Sequence, residues 1–133
     1  MREILFRGKT YDGKWEQGDL RHGGYIHNDS ETYIMRADVA LHNIPVDPKT
    51  LRQYTGVVDK NGKKIFEGDL VRFVNPETGE LSEEVQEVVW DDEQACLLLL
   101  LRETGYKEEF DGVPHWYVVV GNIHDNPELL KGE

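Results

Sequence analysis

Turn-forming dipeptides cut this chain into segments too brief for long helices, and that punctuation limits the fold more than any other feature. Asn61-Gly62, flanked by Val57-Val58 and Ile65-Phe66, is the strongest instance, because both residues tolerate positive φ and close a tight hairpin. Asp12-Gly13 does the same between a short apolar run at residues 3–8 and a returning strand at 15–20. Two more strands, over 22–29 and 32–36, meet at the polar turn Asn28-Asp29-Ser30. Glu67-Gly68-Asp69 feeds a strand at 70–74 that Asn75-Pro76 ends, and His115 to Val120 is the strongest strand of all. The fold class expected is mainly β: a single domain over residues 1–133, barrel-like or a small sandwich of short antiparallel strands. One or two helical turns complete it, at Asp47-Pro48 through Leu51 and at Asn126-Pro127, where Asp or Asn caps and Pro takes the first helical position.

Residues 81–90 fit two patterns. Leu81, Val85, Val88 and Val89 share a helical face, yet Val88-Val89-Trp90 is β-branched and aromatic, Asp91-Asp92-Glu93-Gln94 reads as a turn, and 95–101 can return as a buried strand. The hairpin is the preferred reading.

At 133 residues, with 38% hydrophobic residues gathered in short clusters, the chain can bury one core. Cys96 is the single cysteine and sits in an apolar run, so an intrachain disulfide is excluded and the thiol acts as a small hydrophobe. Residues 1–7 lack the apolar stretch of a signal or anchor, which points to the cytoplasm and away from membranes. Net charge is −11, unevenly spread: residues 1–66 carry eleven Lys or Arg against nine Asp or Glu (+2), and 67–133 carry four against seventeen (−13). That acidic half repels phosphate backbones, so direct nucleic-acid binding is not expected.

The run from Thr50 to Val71, with Gln53-Tyr54-Thr55-Gly56-Val57-Val58-Asp59-Lys60-Asn61-Gly62 and Phe66-Glu67-Gly68-Asp69, resembles the hallmark segment of the YopX-like family of phage and prophage proteins. The ending Val120-Gly121-Asn122-Ile123-His124-Asp125-Asn126-Pro127 and the start Arg2-Glu3-Ile4-Leu5-Phe6-Arg7 are similar too, although family members commonly carry Ala-Trp at Gly8-Lys9. The resemblance implies a bacteriophage or prophage origin, a mainly β fold, self-association and no established activity. The hallmark residues are explained by turn chemistry alone. If they also serve recognition, the exposed candidates are Gln53, Tyr54, Glu67 and Asp69, with Asn122 in the ending and the acidic turn Asp91, Asp92 and Glu93.

Chemistry-bearing patterns are sparse. The histidines, 22, 27, 42, 115 and 124, lack metal-ligand spacing, and no metal or cofactor is expected. His124-Asp125 could join Asp69 or Glu67 in a metal site only if the two hallmark segments met in the fold. No nucleophile elbow or phosphate-cradling loop occurs, and Glu83, Glu84, Asp91, Asp92, Glu93, Glu108, Glu109 and Asp111 read as a repelling surface, so no catalytic residue is assigned. Aromatic residues such as Trp15, Tyr25, Tyr33, Trp90, Tyr106, Phe110, Trp116 and Tyr117 fill a core or a subunit interface. The leading expectation is a non-catalytic accessory protein that binds itself and possibly a host or phage protein. The alternatives are an acidic DNA mimic that inhibits a host DNA-binding or restriction protein and, last, a metal-dependent enzyme.

Overall fold

In the computed structural model, which describes residues 3–22, 32–35, 43–110 and 116–131, the turn dipeptides join strands as their chemistry dictates. β1 (Phe6–Lys9) and β2 (Trp15–His22) pair antiparallel about Asp12-Gly13, where Gly13 adopts φ 91° and donates to the Thr10 carbonyl at 3.0 Å. The Thr10 hydroxyl donates to the Asp12 carboxylate, and that bond foremost holds the Asp12 pKa below its ordinary 3.8. β3 (Thr32–Met35) and β4 (Asn43–Pro45) extend the meander from β2. The strand expected over 22–29 lies largely outside the described residues, as do His27, His42, His115, Tyr25 and Asp111.

β5 (Asp47–Val58) corrects the first helical turn. Asp47 pairs with Lys9 and Arg52 with Arg7, so Pro48 to Leu51 bulge opposite Gly8 alone. The local chemistry is that of a capped turn: the Asp47 carboxylate accepts the Lys49 amide at 3.0 Å, and the Thr50 hydroxyl donates to the Asp47 carbonyl at 2.6 Å. Instead of propagating as a helix, the turn returns to the ladder, because Thr50 Oγ1 accepts the Lys9 amide at 2.8 Å and pins the bulge to β1. The second expected turn does form, as a 3-10 helix over Pro127–Lys131.

The remaining strands are β6 (Lys64–Phe66), β7 (Asp69–Phe73), β8 (Gln86–Asp91), β9 (Cys96–Leu101), β10 (Tyr106–Glu109) and β11 (Tyr117–Asn122). The hairpin reading of the ambiguous segment is correct: β8 and β9 pair from Glu87↔Leu100 to Asp91↔Cys96. Two antiparallel sheets result, of order β4-β3-β2-β1-β5-β6 and β10-β9-β8-β7-β11, and neither closes into a barrel.

The chain divides into two compact units, Met1–Tyr54 and Thr55–Glu133. In the first, Ile34, Val46 and Tyr54 are buried, and the Arg7 guanidinium lies 4.8 Å from the centre of the Trp15 ring. In the second, Ile65 of β6 packs with Val71, Val88, Leu99 and Tyr117 on one face of the five-stranded sheet, a sandwich-like core edged by Val57, Phe110 and Val119. Gln86, Val88 and Leu99 lie on that face; Glu87, Val89, Leu98 and Leu100 point to the other.

Candidate functional site

The two hallmark segments meet in the second unit. Asp59, 3% exposed, is the hub of the β5–β6 turn: one carboxylate oxygen accepts the Asn61 and Lys63 amides at 2.8 and 2.9 Å. Its other oxygen reaches 60 residues along the chain to accept the Val119 amide at 3.0 Å, while the Lys60 amide donates to the Tyr117 carbonyl at 2.9 Å. Val119 and Tyr117 belong to β11, which has β7 on one side only. The turn therefore satisfies the open edge of β11, two polar groups that a free sheet edge leaves for water or another strand.

Asp69 and Asn122 form the second junction, opposite each other in the β7–β11 ladder, with the Ile123 amide donating to the Gly68 carbonyl at 3.0 Å. The Asp69 carboxylate accepts the Phe66 amide at 2.7 Å, closing the turn into β7. The Asn122 side-chain oxygen accepts the His124 and Asp125 amides at 3.0 and 2.9 Å, and its Nδ2 donates to Asp125 at 3.2 Å. The Asn126 amide donates to the Asn122 carbonyl at 2.8 Å, which sets the chain into the 3-10 helix. Gly121 is required by close approach: a Cβ there would stand 2.7 Å from the Asn126 side-chain carbon.

Three of the proposed recognition residues are therefore not exposed. Tyr54 is 6%, Asp69 1% and Asn122 9% exposed; each is drawn inward, Tyr54 into the first unit's core and the other two by the backbone amides they serve. Gln53 and Glu67 are half-buried. Asp91, Asp92 and Glu93 do come together, at the β8–β9 turn, where Asp91 accepts the Glu93 amide at 3.0 Å and half-buried Asp91 precedes exposed Asp92 and Glu93. The condition set for a His124 metal site, that the segments meet, is fulfilled. Yet among the described residues no group of three or more His, Cys, Asp or Glu is placed to hold a metal ion. Also among them, no helix is long and apolar enough to cross a membrane.

The comparisons bear on the same segments. Residues 5–131 match the family described as YopX protein, a span that takes in both junctions. The chain belongs to this family. Among solved structures it is similar to protein EF1440 from Enterococcus faecalis, with 22% identity over 98% of this chain and 100% of that one and a TM-score of 0.54, a likeness of fold. No match is found among curated proteins. In this YopX family member the signature residues serve turns, a sheet edge and a helix entry. A feature that sequence reasoning missed is β10, whose residues Tyr106 to Glu109 are all exposed and form the other edge of the five-stranded sheet.

Proposed function

We propose that this YopX family protein is a non-catalytic, self-associating interaction module, encoded in a phage or prophage genome and working in the bacterial cytoplasm. The observation that carries the reading is where apolar surface is left over. The acid-rich second unit exposes Trp90 at 48%, Tyr106 at 59%, Leu81 at 42% and Phe73 at 38%, large side chains of the kind that anchor protein contacts. Its signature carboxylates, by contrast, are engaged by backbone amides, which favours architecture over acid–base chemistry at those positions.

Light scattering over a hundredfold range of protein concentration tests the reading. A mass that rises to a discrete multiple of the 15.4 kDa chain is the expected outcome. A monomer mass throughout would refute self-association.

A further inference from the structure

The two edges of the five-stranded sheet are finished differently. On β11 the β5–β6 turn takes the Val119 amide and the Tyr117 carbonyl. At β10 the Phe110 amide donates to the Leu97 carbonyl at 3.3 Å, which fixes the phase of the ladder with β9. Tyr106, Glu108 and Phe110 therefore turn their main-chain groups toward β9, while Lys107 and Glu109 turn theirs away from the sheet. Among the described residues, no group outside the sheet bonds to the Lys107 or Glu109 main chain. All four residues of the strand are exposed with the chain folded around them, so this edge is open in the single molecule.

The side chains on the edge suit one partner in one register. Main-chain bonding sets an outward residue only opposite another outward residue, so an antiparallel copy of β10 has few registers open to it. Two of these set Lys107 on Lys107 of the partner subunit or Glu109 on Glu109 of the partner subunit, like charge on like. The register between them sets Lys107 on Glu109 of the partner subunit, and the reverse, on one face of the sheet. Each such pair exchanges both of its main-chain hydrogen bonds. Exposed Tyr106 then comes opposite Phe110 of the partner subunit. Glu108 alone meets its own kind, at the axis, and there Gln86 of β8, two strands in, draws the carboxylate back over β9 with a 2.8 Å hydrogen bond.

We propose that β10 pairs antiparallel with β10 of a second copy of this chain, about a two-fold axis that passes through the sheet at Glu108 and joins the two five-stranded sheets edge to edge. The inference rests on the self-association proposed above and names its seam. Charge on an edge turns away strands at large; where the charges complement their own copy in a single register, the same charge admits that copy. The sealed β11 edge leaves the pairing no second route, so the assembly closes as a dimer instead of growing into a fibre.

The test uses the full chain in sedimentation equilibrium, with circular dichroism to confirm folding. Glu109→Pro removes an outward amide that the ladder with β9 does not use, a place where an edge strand tolerates proline, so the fold is kept and self-association weakens at least about tenfold. Lys107→Glu sets acid on acid and weakens it likewise, and Lys107→Glu combined with Glu109→Lys restores it, because the pair is simply exchanged. If the wild type associates and a folded Glu109→Pro associates equally well, this seam is wrong while self-association stands. Should Glu109→Pro unfold, the charge variants decide: a double variant as weak as Lys107→Glu, or a Lys107→Glu as strong as the wild type, overturns the seam. A wild type that is monomeric at every concentration overturns both the seam and self-association.

Discussion

Gly8 shows how one residue ties sequence to packing. A Cβ built there would lie 2.7 Å from a Val46 methyl and 2.9 Å from its Cβ, and Val46 is 1% exposed, so neither can give way. An alanine at this position does not fit beside this valine. Gly8→Ala is expected to cost about 1–3 kcal/mol, the range for overpacking, and Val46→Ala in the same chain to recover part of it; additive losses in a urea-denaturation cycle would show that the two sites do not touch. Asp59 makes the complementary point. Asp59→Asn exchanges an acceptor oxygen for a donor that faces a backbone amide, with an expected loss of about 2–3 kcal/mol. Hydrogen exchange at Val119 should quicken more than at Val88; equal change at both would place the effect elsewhere. That Asp59 bonds the Asn61 turn is legible from sequence, since those residues are neighbours. Its bond to Val119 is not, because no local pattern announces a partner 60 residues away.

Among the elements, hairpins governed by their own turn residues were readable and those decided by distant pairing were not. Asp12-Gly13 and Asn61-Gly62 close where their dihedral freedom requires, with Gly13 at φ 91° and Gly62 at φ 84°. At Asp47 the local signal is sound and its outcome differs, because β1 offers Lys9 as a ladder partner before a helix can propagate. β10 gave no signal: Tyr-Lys-Glu-Glu shows no apolar alternation, as befits an edge strand guarded by charge. The β8–β9 turn carries a residue against its preference, Ala95 at φ 54° and exposed. Ala95→Gly should stabilise by about 0.5–1 kcal/mol, since glycine occupies that region without the Cβ penalty. A thermal melt showing no gain would mean that the turn relaxes around alanine. Exposure of Asp69 and Asn122 is not legible in the hallmark, for a physical reason: short polar side chains in turn motifs can turn inward to the backbone as well as outward.

At the scale of the molecule, charge is the property that folding leaves unresolved. Of the net −11, residues 67–133 contribute −13, and among the described residues Glu87 is the buried member of a matched pair while Glu83, Glu84, Asp92, Glu93, Glu108 and Glu109 are exposed. Mutual repulsion of exposed carboxylates weakens with ionic strength. The melting temperature should rise on the order of a few degrees between 10 and 300 mM sodium chloride; a flat or falling profile would mean that attractive pairs dominate instead. The mainly β class follows from turn spacing and strand composition, whereas turn spacing suits a barrel and a sandwich equally, and it is the strand pairing that leaves both sheets open.

The turn that seals β11 has a bearing on what membership of this family means. A strand whose Val119 amide and Tyr117 carbonyl are already taken has less to offer a foreign strand, so the Asp59–Asn61 turn acts as a guard on that sheet edge. A guard of that kind is needed whatever task the rest of the surface performs. Two proteins can share it to the letter and still engage unrelated partners, and the differences that assign their tasks are to be sought on the faces of the sheet, away from the motif that names them.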